Sequence, residues 1–243
     1  MIVDFMGLEN LQSGLESYLK KYKFETTRTS QLWESFSQVS ASLPINVSAI
    51  MDTWIFQQGY PVIMVEWNAD GTGIIVHQQR FISSLSPDEF EQHLNDNKLM
   101  LVNQTWIVPL TMITPTIIID NKTDNAQVYW LNSTQQRIRL NRSKNPWFKL
   151  NRKQSGFYRV NYEPSIWQQL IEILSTQRFD SNLNGHILSP SDRAGLIDDA
   201  LSLMRNGYID VAIAMNLTRY MGKIGDIRNI WLLYFFIINF FKK

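Results

Sequence analysis

The chain has 243 residues, room for one large domain or two small ones, and its 44% hydrophobic and 12% aromatic share excludes an intrinsically disordered protein. Its 23 basic and 22 acidic residues leave a formal charge of +1 with no basic block standing out, so nucleic acid is excluded as a partner class. There is no cysteine, which excludes disulfides and thiolate metal sites.

Leu8, Leu11, Leu15, Tyr18 and Leu19 recur at helical spacing after Gly7 and predict an amphipathic helix over 8–22. A second is expected from a Thr29 cap, with Leu32, Trp33, Phe36 and Val39 on one face. Val47, Ile50, Met51 and Trp54 predict a third, stopped by Gly59 before Pro61. Three short helices bury little area alone. Leu8, Leu11, Leu15, Trp33 and Phe36 are therefore expected to lack a partner, leaving this end poorly tethered and prone to self-association.

From Val62 the apolar period falls to about two. Strands are expected over 62–67, 74–81, 106–112, 127–131 and 136–140, with Asp70-Gly71 turning the first pair and 84–98 forming a long surface loop. Short strands separated by turn residues predict an antiparallel β-sandwich. The stretch WFKLNRKQSGFYRVNY, Trp147 to Tyr162, reads as two more strands around a Gln-Ser-Gly break at 154–156. Beyond it the period returns to about 3.6 over 166–220, so this stretch is the joint between a β-rich and a helical part.

Past the joint, Ser189-Pro190-Ser191-Asp192 is a helix start, with Ser189 as cap, proline at the first helical position and an acid three residues after the cap. Leu196, Ile197, Ala200, Leu201 and Met204 then line one face, and Gly207 ends the helix. Asp210 caps the next, with Ile213, Ala214, Leu217 and Tyr220 inward. Together they predict a helical hairpin of the kind that stacks on further copies.

Asn-x-Ser/Thr triplets at Asn46, Asn103, Asn121, Asn132, Asn141 and Asn216 are candidate glycosylation sites and suit the loops of an extracellular or cell-surface protein. The opening residues MIVDFMG lack the basic and apolar regions of a signal peptide.

Taken together, four runs resemble the zinc aminopeptidases of the aminopeptidase N type, particularly the membrane-anchored animal members: MDTWIFQQGYPVIMV (51–65), TWIVPLTMIT (105–114), WFKLNRKQSGFYRVNY (147–162) and LSPSDRAGLIDDALSLMRNGYID (188–210). The runs follow the family's order and cover about residues 1–221. The resemblance implies a multidomain α and β fold in which 1–54 are the last helices of a thermolysin-like catalytic domain and 55–163 an antiparallel β-sandwich. It makes 164–221 the start of a C-terminal α-helical domain, with 222–243 an unrelated apolar tail.

The family binds zinc through His-Glu-x-x-His and a downstream Glu, recognises the substrate's α-amine with Gly-x-Met-Glu-Asn, and steadies the tetrahedral intermediate with a Tyr preceding the matched region. Neither motif is in this sequence. His77, His93 and His186 are scattered without ligand spacing. Asp192 and Asp198-Asp199 invite a paired-carboxylate reading, but consecutive acids on a helix point about 100° apart and early acids suit its dipole. No catalytic, cofactor-binding or metal residue is therefore expected. Zinc and peptide substrates belong to the complete family member, and this chain is expected to be a non-catalytic fragment of it.

A catalytically inactive extracellular binding module is the alternative, possible also as a stub attached to the membrane by the apolar run over 230–241. That run is shorter than the roughly 20 apolar residues of a spanning helix and is interrupted by Asn239. Gly222-Lys223 can be encoded by GGTAAG, the usual start of an intron, and the following residues are those of translated AT-rich DNA. The tail is therefore expected to be a terminus of the gene model and not an anchor.

Overall fold

The structure, a computed structural model, describes residues 1–40, 43–82, 104–115, 127–176 and 188–223. The expected loop over 84–98, His93, His186, Asn103, Asn121 and the tail from Ile224 lie outside them.

Four helices open the chain: α1 (Ile2–Met6), α2 (Leu8–Lys21), α3 (Thr29–Val39) and α4 (Val47–Ile55). α2 meets α3 at Gly14, where an added Cβ would lie 2.5 Å from Phe36 Cδ1 and 3.1 Å from Val39 Cγ2. Centring the contact on Gly14 turns Leu8, Leu15 and Leu19 to solvent while Leu11 stays half-buried. The expectation that Trp33 and Phe36 lack a partner is corrected. Both are buried with Phe5, Met6, Val47, Ile50 and Met51 in a small core of their own. That core is tied to the strands. Trp54 Nε1 donates to Ile107 O at 3.1 Å, Gln57 Nε2 to Thr105 O at 2.9 Å, and Phe5 meets Trp130 edge-on at 5.4 Å.

Two helix ends are also corrected. Thr29 is the first helical residue and not the cap; Gln31 Oε1 accepts the N–H of Arg28 at 2.7 Å, satisfying the backbone one residue earlier. α4 stops at Ile55, and Gly59, at φ +91°, serves the turn into Pro61.

The strands are β1 (Pro61–Trp67), β2 (Gly73–Arg80), β3 (Val108–Ile113), β4 (Val128–Leu131), β5 (Gln135–Arg139), β6 (Lys149–Leu150) and β7 (Arg159–Tyr162). They form a four-stranded sheet in the order β5-β2-β1-β7 and a three-stranded sheet in the order β4-β3-β6. β1 and β2 pair from Pro61↔Arg80 to Trp67↔Ile74. In their turn Gly71 takes φ +67° and Asp70 Oδ1 accepts the N–H of Thr72 at 2.9 Å.

One strand expectation fails. The four-stranded sheet is mixed and not antiparallel, because β7 runs parallel to β1 with Val62↔Arg159 and Val65↔Tyr162 in register. The two strands expected around the Gln-Ser-Gly break are present but do not pair with each other: β6 pairs with β3 (Met112↔Leu150) and β7 with β1, in different sheets. Between them a 3-10 turn at Arg152–Gln154 and positive φ at Asn151, Lys153 and Gln154 swing the chain from one sheet to the other.

One hydrophobic core joins both sheets to the helices α5 (Pro164–Thr176), α6 (Pro190–Arg205) and α7 (Val211–Thr218). α5 contributes Ile166, Trp167, Leu170 and Leu174 at helical spacing. At the start of α6 the Ser189 hydroxyl accepts the N–H of Asp192 at 3.2 Å. At its end Tyr208 N donates to Leu203 O at 2.9 Å and Gly207 N to Met204 O at 3.1 Å, with Gly207 at φ +74°, the paired bonds of a Schellman motif. Asp210 Oδ1 caps α7 through Ala212 N at 2.6 Å. Ser189→Ala is expected to cost about 1 kcal/mol in urea unfolding, with little change for the exposed Ser191→Ala; the reverse ranking would move the cap to Ser191.

Candidate functional site

β6 is two residues long, and both are buried. Leu150 belongs to the core. Lys149, at 1% exposure, needs another explanation, since an ammonium leaves water at a cost of several kcal/mol. Its ammonium donates to Leu150 O at 3.0 Å and Asn151 O at 2.7 Å and forms an ion pair with Asp192 Oδ1 at 3.1 Å. Asp192 lies in the first turn of α6 and is as deeply buried. It also accepts the N–H of Lys153 at 2.6 Å on Oδ1 and the Ser189 hydroxyl at 2.5 Å on Oδ2. Burial pushes the Lys149 ammonium below its ordinary pKa, and the Asp192 carboxylate opposes the shift.

Asn151 holds the turn that makes this possible. It is fully buried in the left-handed region at φ 57°, ψ 61°. Its N–H donates to Thr111 O at 2.9 Å, its Nδ2 to Gly156 O and Tyr158 O at 3.1 and 3.0 Å, and its Oδ1 accepts Gly156 N at 2.8 Å. Tyr162 on β7 accepts the N–H of Leu150 on β6 at 2.9 Å, a direct bond between the sheets.

A second ionic group lies one strand away. Arg159 Nη1 donates to Asp198 Oδ2 at 2.7 Å and Asp199 Oδ1 at 3.0 Å, while Asp199 Oδ2 accepts Val160 N at 3.2 Å. The guanidinium sits 5.3 Å from the Phe81 ring centre. Burial raises the Asp199 carboxyl to about 7, with Arg159 pulling it down and Asp198 adding to the rise. Burial works against the charge on Arg159, but Asp199 and Asp198 outweigh it and raise its pKa. The angle between consecutive helical acids does not separate Asp198 from Asp199, because one guanidinium nitrogen reaches both.

The site is thus an ion cluster joining the 149–162 segment to α6, with each charge spent on a neighbour. Lys149 and Arg159 were missed at the sequence level; a lysine within the apolar run WFKL was the available signal. The metal question turns on donors. Among the described residues no group of three or more His, Asp or Glu is placed to hold an ion, and His77 stands half-buried on β2 opposite Met64. The described residues do not fit the family's zinc. Of the glycosylation candidates, Asn46 caps α4, Asn132 lies between β4 and β5, Asn141 follows β5 and Asn216 lies in α7; all four are exposed.

Comparison with known proteins places these elements. Residues 1–54 match the family profile described as "Peptidase family M1 domain", and residues 147–227, beginning at the joint, match "ERAP1-like C-terminal domain". The chain belongs to the M1 peptidase family. It is 32% identical over 232 residues to thyrotropin-releasing hormone-degrading ectoenzyme of Homo sapiens, covering 93% of this chain and 20% of that protein. It is 35% identical over 224 residues to glutamyl aminopeptidase of Sus scrofa, covering 91% of this chain and 21% of that protein. The M1-family chain therefore spans about a fifth of the length of these relatives. No helix among its described residues is long and apolar enough to cross a membrane.

Two outcomes follow for this M1-family chain. Lys149→Met leaves Asp192 buried beside hydroxyl and amide donors alone and is expected to cost about 3–5 kcal/mol; denaturant unfolding showing under about 1 kcal/mol would mean that the pair holds nothing. Asp199 is held near 7 in the fold, against about 4 in an unfolded chain, so the folded state binds the extra proton between these values. Its contribution to stability is complete below about 4 and is lost as pH rises through about 7. The melting temperature is expected to fall from pH 6 to 8, and to fall less in Asp199→Asn; equal slopes would show that Asp199 does not titrate there.

Proposed function

We propose that this chain is the structural joint of a zinc-dependent aminopeptidase that removes N-terminal residues from peptides at the cell surface. In this reading 1–54 are the last helices of the catalytic domain, 55–163 a β-sandwich, and 164–221 the start of a C-terminal helical domain built of helical hairpins. The supporting observation is the ion cluster, in which Lys149–Asp192 and Arg159–Asp198/Asp199 clamp the end of the β-rich part onto α6. The groups that would be candidates for chemistry are engaged by neighbours, so the clamp positions one domain on the next and leaves hydrolysis to residues outside this sequence. Cell-surface placement is supported by the relative named an ectoenzyme and by the sequons.

By this proposal the chain alone has neither stoichiometric zinc nor peptidase activity, since the chemistry requires a metal-activated water. Elemental analysis of the purified chain and an aminoacyl-arylamide assay test it. Absence of zinc and of turnover is the expected result; chelator-sensitive turnover by the chain alone would overturn the reading.

A further inference from the structure

The asparagines divide by how they use their side-chain nitrogen. Outside the sequons, five of the six described asparagines donate from Nδ2 within the protein: Asn10, Asn68, Asn145, Asn151 and Asn206. The sixth, Asn161, is buried and accepts from Trp167. The four described sequon asparagines differ: all are exposed, and among the described residues none donates from Nδ2. Where their side chains do bond, they use Oδ1. Asn141 Oδ1 accepts the N–H of Lys144 at 3.1 Å, and Asn46 Oδ1 accepts Ser48 N at 2.8 Å. An N-linked glycan replaces one hydrogen on Nδ2 and keeps the carbonyl, so these bonds survive modification.

Two of the four have a common position. Asn132 precedes β5 and Asn141 follows it, both outside helix and strand, and the sequon hydroxyl residues Thr134 and Ser143 are exposed as well. β5 is the outer strand of its sheet, and no described strand pairs with its free side. Such an edge presents backbone N–H and C=O groups to any passing strand unless something covers or charges it. Arg137 and Arg139 are exposed on it, but Arg137 is paired with Asp70 at 3.1 Å, so the charge defence is partly spent.

We propose that Asn132 and Asn141 carry N-linked glycans that bracket β5 and shield its outer edge, unpaired among the described residues, from pairing with a second copy of the chain. The inference does not rest on the peptidase reading. The full chain, secreted from a eukaryotic host behind an added signal peptide, is treated with peptide N-glycosidase, which leaves Asp where a glycan was attached, and mapped by mass spectrometry. Asp at both 132 and 141 is expected; Asn at either position in the secreted chain overturns the assignment. Glycan removal under native conditions then tests the shield without requiring a variant to fold. A shift from monomer to larger species in size-exclusion chromatography is expected, and an unchanged profile overturns the shielding role. Thr134→Val with Ser143→Ala, which keeps both asparagines, is expected to abolish the modification and to give the same shift.

Discussion

The Lys149–Asp192 contact constrains what surrounds it. Two opposite charges, each about 2% exposed at the side chain, lie 3.1 Å apart, one on a two-residue strand and one in the first turn of a helix. Each was taken from water at a cost of several kcal/mol, and attraction offsets that cost only when the remaining donors and acceptors are also matched. Here they are: two backbone carbonyls complete the ammonium, and a backbone N–H and a hydroxyl complete the carboxylate. A displacement of α6 by one turn, about 5.4 Å, would leave both ions buried and alone. The helix start is thus fixed relative to the sheet by the penalty for every other position.

The backbone between β6 and β7 takes the form that this contact requires. Asn151, Lys153 and Gln154 all sit at positive φ, each at a cost of about 1–2 kcal/mol for a residue other than glycine. The return is specific: Lys153 turns its N–H onto Asp192, and Asn151 closes the loop with three side-chain bonds. Gly195 on α6 completes the fit, since a Cβ there would lie 2.1 Å from Gln154 Oε1. The chain leaves one sheet at Leu150 and enters the other at Arg159, and Tyr162 spans the gap to Leu150.

Much of this was legible in the sequence, for a physical reason. Apolar periodicity and cap chemistry are local, and they marked the helices at 8–22 and 189–206 and the strands over 62–81 within a residue or two of where they lie. Partners are not local. The WFKLNRKQSGFYRVNY stretch shows two strands around a break, yet nothing in a period of two says that they join different sheets or that one runs parallel. The same limit hid the ion cluster. Lys149 and Asp192 are 43 positions apart, and the place of Lys149 in the apolar run WFKL hints at burial without naming the partner that makes it tolerable. The Leu8–Leu19 stripe misled in the other direction, because a single small residue, Gly14, lets two helices approach closely and rotates the leucines out of the contact.

The two halves of the cluster do different work. Arg159 and Asp198 keep 18% and 32% of their side chains in contact with water, so their 2.7 Å bond is screened and contributes little net energy of its own. Its effect is geometric: it aims the guanidinium, which then meets Asp199 at 3.0 Å and lies over Phe81. Asp199 is 4% exposed and carries a desolvation cost that its half-buried neighbour Asp198 largely avoids. Lys149–Asp192 has no such gradient, since both partners are sealed. A surface charge reversal near Asp198 therefore changes the orientation of one arginine, whereas a change at Lys149 removes the counter-ion of a carboxylate that water cannot reach. The attachment of α6 to the sheets depends on the sealed pair, and the half-buried pair sets its fine alignment.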